Sequence, residues 1–464
     1  MADPPAPAVD ELADDLRGRL VRPTDPDYDQ ARSVWNGMID QRPDLVVEAT
    51  GTADVIAAVE FAREHQRPVA VRGGGHSVAG DGTTDDGIVI DLGALDEVRL
   101  DPETERVHVG PGATLGDVDH ETQAFSLAVP SGVVSMTGMA GLTLGGGVGW
   151  LMREHGLTCD HLAEAHVVTA EGELVRASED ENADLFWALQ GGGGNFGIVT
   201  RFTYDTVELG PTVYAGANLH PARDAGEVLD FYEEWTARAP TEVVTAAIVK
   251  TAPETSEIPA EHRGEPVVAL AACYAGDPDR GRKVLEPLTS FGDPIHEDVR
   301  ERPFTEWQSS SDDAWQAGYR DYWKSCYLDE LPDEVLEAMV ERVHEMPSTI
   351  MDVKLEHAGG AMAEVDEHAS AFSGRWAEHI FKINGRWEDP AEDEANIAWV
   401  RELFEDVAEH VREGVYVNYL ARDDQDRIEA AYGKQTYERL RQVKANWDPD
   451  NRFSVNQNIR PASD

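Results

Sequence analysis

The chain has 464 residues, 41% hydrophobic and 28% charged, with Asp+Glu 89 against Lys+Arg 39 and a formal net charge of -50. At roughly 150 residues per domain, this length predicts about two to three domains, with ample apolar content for buried cores. So negative a field excludes non-specific nucleic-acid binding and electrostatic attachment to anionic lipid, and no apolar run approaches the ~20 residues that span a bilayer.

Residues 1–21 are rich in Ala, Pro and Asp and predict a start that is frayed at first. They contain neither a basic n-region nor an apolar h-region, so no signal peptide is expected and a cytoplasmic location is. Residues 54–66 (DVIAAVEFAREHQ) have helical spacing, and PVAVRGGG follows as a short strand running into a glycine turn. Strands are predicted at 87–92 (GIVIDL), 106–112 (RVHVGPG) and 165–178 (AHVVTAEGELVRAS), the last with a hairpin turn at Glu171-Gly172. Residues 184–190 (DLFWALQ) predict a short helix, followed by GGGGNFG and the strand IVTRFTYDT over 198–206.

After Leu209 the texture changes. Strands such as 243–250 (VVTAAIVK) and 266–275 (PVVALAACYA) alternate with amphipathic helices such as 333–346 (DEVLEAMVERVHEM) and 395–413. Boundaries are therefore expected near Leu209 and Gly414. The expected units are 1–209, an inserted α+β unit over 210–414, and a mixed, turn-rich return over 415–464 that joins the first.

Four segments carry the chemistry. The first, Val71-Arg72-Gly73-Gly74-Gly75-His76-Ser77, leaves a strand through glycines that free backbone N–H groups to converge on an anion, with His76 at its end. Taken alone, it fits a ligand cradle and a plain loop equally well. Gly75-His76-Ser77-Val78-Ala79 falls one residue short of a G-x-S-x-G nucleophile elbow and runs into a loop where that motif needs a helix, so a serine hydrolase using Ser77 is the weaker rival.

The second segment, Gly138 to Leu151, has too many interior glycines for an ordinary helix or strand, and predicts main chain lying against a large ligand. In the third, Gly192, Gly194 and Gly197 spell G-x-G-x-x-G. A helix precedes it and a strand follows, the reverse of a dinucleotide-binding fingerprint, so a nicotinamide cofactor is excluded. The fourth is the C-terminal run with Tyr416-Val417-Asn418-Tyr419, where a regular strand would send the two tyrosines to opposite faces.

Cys159, Cys273 and Cys326 are too few and too scattered for a disulfide framework. His155, Cys159, Asp160 and His161 match no zinc spacing, and no metal is expected.

Taken in order, RGGGHS, GLTLGGGVGWL, GGGGNFGIVT, YVNY and WDPDNRF resemble the berberine-bridge-enzyme-like FAD-linked oxidases, within the fold group of vanillyl-alcohol oxidase and p-cresol methylhydroxylase. The resemblance runs from Val34-Trp35-Asn36-Gly37-Met38 to Gln457-Asn458-Ile459. It implies an α+β, two-domain FAD-binding fold with an inserted α+β substrate domain. It also implies that His76 carries FAD through a covalent bond to the flavin 8α-methyl. By the same resemblance Arg72, Gly73, Gly74, Gly75 and Ser77 hold the pyrophosphate. Ser131, Thr137, Gly138, Gly141, Gly145, Gly146, Gly197, Ile198, Val199 and Asn418 complete the cofactor site.

Many members attach FAD a second time through a cysteine; Val134 occupies that position here, so a single link is expected. Thr137, close to valine in size, stands where the family admits oxygen and leans the reading towards an oxidase. Tyr419 matches the flavin-adjacent tyrosine and is the expected base, its pKa lowered by neighbouring cations or a hydrogen bond. Lys382 and Asn384 match a strand that faces the flavin. The family's second tyrosine is replaced by Val148, which leaves Tyr416 as the other catalytic candidate.

The implied reaction is hydride transfer from a C–H beside an OH or NH of a small organic molecule to flavin N5, with O2 or another electron acceptor reoxidising the flavin. A dehydrogenase and a non-catalytic flavin-binding protein are the alternatives. Acid excess with no lysine before Lys250 also resembles the proteins of salt-accumulating haloarchaea, although a binding face for cationic partners would share that composition. On the first reading the fold loosens in low salt; a denaturation midpoint that does not move with KCl concentration would contradict it. The negative surface mildly favours neutral or cationic substrates at low salt.

Overall fold

Short β-branched runs build the first part of the chain. The structure, a computed structural model, describes residues 6–342 and 344–463. β1 (Arg19–Val21), β2 (Leu45–Glu48), β3 (Val69–Arg72) and β4 (Ile88–Asp91) form one sheet in the order β1-β2-β4-β3. β2 and β3 both run parallel to β4, and the helix Thr52–Glu64 supplies the crossover that parallel strands require. β3 thereby delivers Arg72 and the glycines after it to one end of the sheet.

A second, antiparallel sheet contains β5 (Val98–Asp101) and β6 (Arg106–Val109). The short β7 (Leu127–Ala128) precedes its other members, β8 (Leu162–Val168), β9 (Leu174–Ala177) and β10 (Ile198–Asp205). The order is β5-β6-β10-β8-β9, and β7 pairs instead with β11 (Val207–Glu208). Val415, Leu420, Leu440 and Ile459 share a core with Val107, Val167 and Phe202, so the end of the chain packs on this sheet.

Between these parts lies an eight-stranded antiparallel sheet. Its strands are β12 (Thr212–Pro221), β13 (Val243–Thr251), β14 (Pro266–Tyr274), β15 (His296–Glu297), β16 (Arg300–Pro303), β17 (Arg320–Leu328), β18 (Asp352–His357) and β19 (His379–Trp387). The order is β15-β12-β14-β13-β18-β19-β17, with β16 beside β12. Strand alternation sends Val353, Leu355, Phe381 and Ile383 into a core shared with Val228, Leu285, Val335 and Leu403 of the covering helices. The intervening residues Lys354, Glu356 and Lys382 therefore point the other way. On that side Trp315 and Trp323 join one cluster with Trp35, Val78 and Val134 from the first part of the chain.

Several expectations are corrected. The frayed start is a helix, Ala6–Asp15, whose Val9 and Leu12 are buried with Val55 and Val59; residues 1–5 lie outside the described residues. The glycine run begins as a helix after all, Met139–Gly145, because Met139, Ala140 and Thr143 pack inward while Gly138 starts it and Gly146 ends it. The predicted helix 333–346 is observed as Asp333–Arg342, and Val343 lies outside the described residues. The turn-rich return contains a helix, Lys434–Trp447.

That last helix holds a buried ion pair. Lys444 Nζ donates to Asp448 Oδ2 at 2.6 Å, to Asn195 O at 2.7 Å and to Phe453 O at 2.9 Å. Neither side chain is exposed, so the pair ties the third glycine loop to the chain's return. Lys444→Met strands the Asp448 carboxylate and should destabilise the fold by about 3–5 kcal/mol, read as a lower urea midpoint. A midpoint equal to wild type would deny the pair that role.

Candidate active site

One cleft joins the two parts of the molecule. Its cavity volume is about 270 Å³, and its lining runs from the Arg72–Ser77 turn to Tyr416 and Tyr419.

Its floor is glycine backbone. A Cβ on Gly74 would meet Gly138 Cα at 2.6 Å, so the first and second glycine segments touch main chain to main chain. A Cβ on Gly141 or Gly194 would meet nothing within 4 Å, so these cavity-lining positions leave space where a ligand can lie against backbone. Gly75 has φ +67, a left-handed turn that glycine adopts without strain and that brings His76 to the cleft.

The His76 ring stacks on Trp35 with centroids 4.2 Å apart and planes 19° from parallel. Its Nε2 is buried and has no hydrogen-bond partner among the described residues. Burial, followed by the charges of Lys382 and Arg386, pushes the imidazole down to about 4. A neutral, held histidine with an unused nitrogen suits attachment to an electrophilic carbon. Beside it Asp81 Oδ2 accepts from Ser77 Oγ at 3.2 Å and from Gln457 Nε2 at 2.9 Å, while burial pushes its carboxyl up. The glycine cradle, the unpartnered imidazole and the scarcity of charged acid at this end fit FAD. They also name the residues that would hold it.

At the opposite end stand the tyrosines. Val417–Tyr419 is a 3₁₀ turn rather than the strand expected, and residues three apart eclipse one another there. Tyr416 and Tyr419 therefore both reach the cleft, with ring centroids 4.8 Å apart. The Tyr416 hydroxyl oxygen accepts from the Gly147 N–H at 2.9 Å and from Asn418 Nδ2 at 2.8 Å. The Tyr419 hydroxyl donates to Glu356 Oε2 at 3.1 Å.

The electrostatics of Tyr419 differ from expectation. Burial, and then the charge of Glu356, raises its pKa well above the ordinary value. Lys382 does not counter this at the hydroxyl, because its Nζ lies over ring faces, 3.7 Å from the centroids of both Trp323 and Tyr419. Burial, with Lys354 next, pushes Lys382 itself down to about 7. The tyrosine is thus held protonated, with its hydroxyl on the Glu356 carboxylate.

Most of the expected residues line the cleft: Arg72 to Ser77, Thr137, Gly138, Gly141, Gly197 to Val199, Lys382, Tyr416, Asn418 and Tyr419. Arg72 does so with its guanidinium already engaged by Asp91 at 2.7 Å, Ser33 O at 3.0 Å and Ala31 O, which leaves its backbone to face a ligand. Four residues stand one layer behind the wall. Ser131 Oγ accepts from Gln308 at 3.0 Å. Gly145 lies against the Asn418 amide and Gly146 against Phe372. Asn384 is fully buried and donates to Asp352 Oδ1 at 2.6 Å.

The sequence reading missed Trp35, Asp81, Trp315, Trp323, Lys354 and Glu356. Only Lys354 carried a usable signal, since the chain has few lysines. Among the described residues no group of three or more His, Cys, Asp or Glu is placed to hold a metal ion, and no helix is long and apolar enough to cross a membrane. Cys159 is buried outside the cleft wall.

Residues 43–178 match the model of an FAD binding domain, and residues 415–460 match that of the berberine and berberine-like family. An FAD-linked oxidoreductase of Dictyostelium discoideum is 30% identical over 458 residues, which cover 98% of this chain and 97% of that protein. Among solved structures, 6-hydroxy-D-nicotine oxidase from Arthrobacter nicotinovorans matches with a TM-score of 0.84 at 25% identity, covering 96% of this chain and 98% of that one. Xylooligosaccharide oxidase from Myceliophthora thermophila, solved with xylobiose, matches with a TM-score of 0.85 at 26% identity, covering 98% of this chain and 100% of that one.

Proposed function

The chain belongs to the berberine-bridge-enzyme-like FAD-linked oxidoreductases, and from that premise we propose that it is an oxidase of a small organic substrate with FAD held covalently by His76. It is an enzyme with the two-domain FAD-binding fold of the vanillyl-alcohol oxidase and p-cresol methylhydroxylase type. In this reading residues 1–209 and 415–464 hold the cofactor, and 210–414 supply the substrate wall. A single attachment follows from Val134 at the family's cysteine position, with Cys159 buried away from the cleft.

FAD, when bound, accepts two electrons as hydride from a substrate C–H. The chain's own part is proton handling and placement. Tyr419 Oη takes the proton of the substrate's hydroxyl or amine while its own proton passes to Glu356. Lys382, over the same ring, holds the phenol in place by a cation–π contact. Tyr416, fixed by Gly147 and Asn418, walls the site beside it. The observation that carries this reading is the Tyr419–Glu356 hydrogen bond beside Lys382, in the same cleft as the glycine cradle and His76.

The two oxidases of full-length likeness are named for a nicotine and a xylooligosaccharide, which supports a substrate with a C–H next to nitrogen or oxygen. The test is anaerobic mixing of the yellow protein with a panel of alcohols, sugars and amines. Bleaching by one of them, reversed by air with release of hydrogen peroxide, is the expected result. Bleaching that air does not reverse would assign a dehydrogenase, and no bleaching by any member of the panel would count against turnover. In the same reading, the acid-rich surface keeps the protein soluble in molar salt.

A further inference from the structure

Lys354 and Lys382 stand directly opposite one another on β18 and β19, and both line the cleft. They are only 8% and 5% exposed. Like charges facing each other across antiparallel strands are destabilising, and burial makes the arrangement costlier. It occurs in a chain with seven lysines against 89 acidic residues, so basic character is concentrated where the fold least favours it.

Among the described residues neither ammonium has a carboxylate within hydrogen-bond distance. Lys354 Nζ comes no closer to a carboxylate than 3.8 Å, to Asp352 Oδ1, which already accepts from Asn384 at 2.6 Å. Among the described residues Lys382 makes no hydrogen bond or ion pair. Glu356, the other carboxylate on this strand face, is taken by the Tyr419 hydroxyl. Aromatic rings fill the remaining sides: Trp323 and Tyr419 flank Lys382, and Trp315 lies 5.4 Å from Lys354. The N–H donors left over face the cleft next to the proposed proton acceptor.

We infer that the substrate is an organic acid whose carboxylate seats between Lys354 and Lys382, with its ring or chain against Trp315 and Trp323. This rests on the oxidase reading above and names the class of its substrate. A carboxylate there would satisfy both ammonium groups and fix the molecule with its oxidisable OH or NH towards Tyr419. It reverses the preference that surface charge alone suggests, because the local wall is basic while the field of the whole protein is acidic. Binding would also hold Lys382 in its charged form, so that above a pH of about 7 each anion bound should bring a proton with it.

The probes are two non-reacting pairs of like shape, benzoate against benzamide and D-gluconate against D-glucose, with KCl as a bare-anion control. They are titrated into the flavin-loaded protein at constant ionic strength and followed by tryptophan fluorescence, with proton uptake measured in weak buffer at pH 8. We expect at least one acid to bind ~10-fold or more tightly than its neutral partner, as charge-assisted bonds require, and to bring proton uptake. Lys354→Gln should abolish the preference and Lys354→Arg should restore it, with flavin content unchanged in both. Equal binding within both pairs, a preference that survives Lys354→Gln, or chloride binding as tightly as either acid would each overturn the inference. A colourless protein that still prefers the acid would overturn the flavin reading and support this one, so the two failures are distinct.

Discussion

Tyr419→Phe should slow anaerobic flavin reduction by ~10²-fold or more, the scale of a lost acid–base group. The substitution removes one oxygen and leaves the ring. The ring packs edge-on to Tyr416 at 4.8 Å and to Trp323 at 6.0 Å, and it carries Lys382 on its face. Folding and flavin content should therefore match wild type, which separates chemistry from stability. What disappears is the only hydroxyl among the described residues that hydrogen-bonds to Glu356. Stopped-flow reduction with a bleaching substrate gives the number directly. A rate equal to wild type would remove Tyr419 from the proton path.

Glu356→Gln should cost a similar factor for a complementary reason. A glutamine can still accept a hydrogen bond from the tyrosine through its amide oxygen, but it cannot keep the proton. The buried phenol, whose pKa burial and Glu356 hold well above the ordinary value, then has nowhere to send it. Because the two residues act as one relay, the double variant should be little slower than either single one. Losses that multiply instead would mean that tyrosine and glutamate work independently.

The cofactor end of the cleft was legible because its chemistry is local. Three glycine-rich stretches interrupt otherwise regular patterns, and Gly74 against Gly138 is an approach that larger residues forbid. The catalytic end was legible only in part. Tyr416 and Tyr419 were found, but the strand geometry assigned to them was wrong, since nothing in four residues distinguishes an extended segment from a 3₁₀ turn docked on Gly147 and Leu142. Glu356, Lys354 and Trp323 were invisible for another reason. Their meaning lies in the register of β17, β18 and β19, which pairs Lys354 with Lys382 and Trp323 with Asn384 across long stretches of chain. The missed helix Ala6–Asp15 is short and rich in Ala and Asp, Lys434–Trp447 is mostly polar, and each is held by a few buried residues that only tertiary contacts identify.

The central claim, a flavin bonded to His76, is tested most directly by precipitating the protein with acid, washing it, and looking for yellow absorbance in the redissolved pellet. Colour that stays with wild type and is lost from the pellet of a folded His76→Ala variant is the predicted result. Colour found only in the wild-type supernatant would contradict the covalent bond, and no flavin in either fraction of a folded protein would contradict the account as a whole.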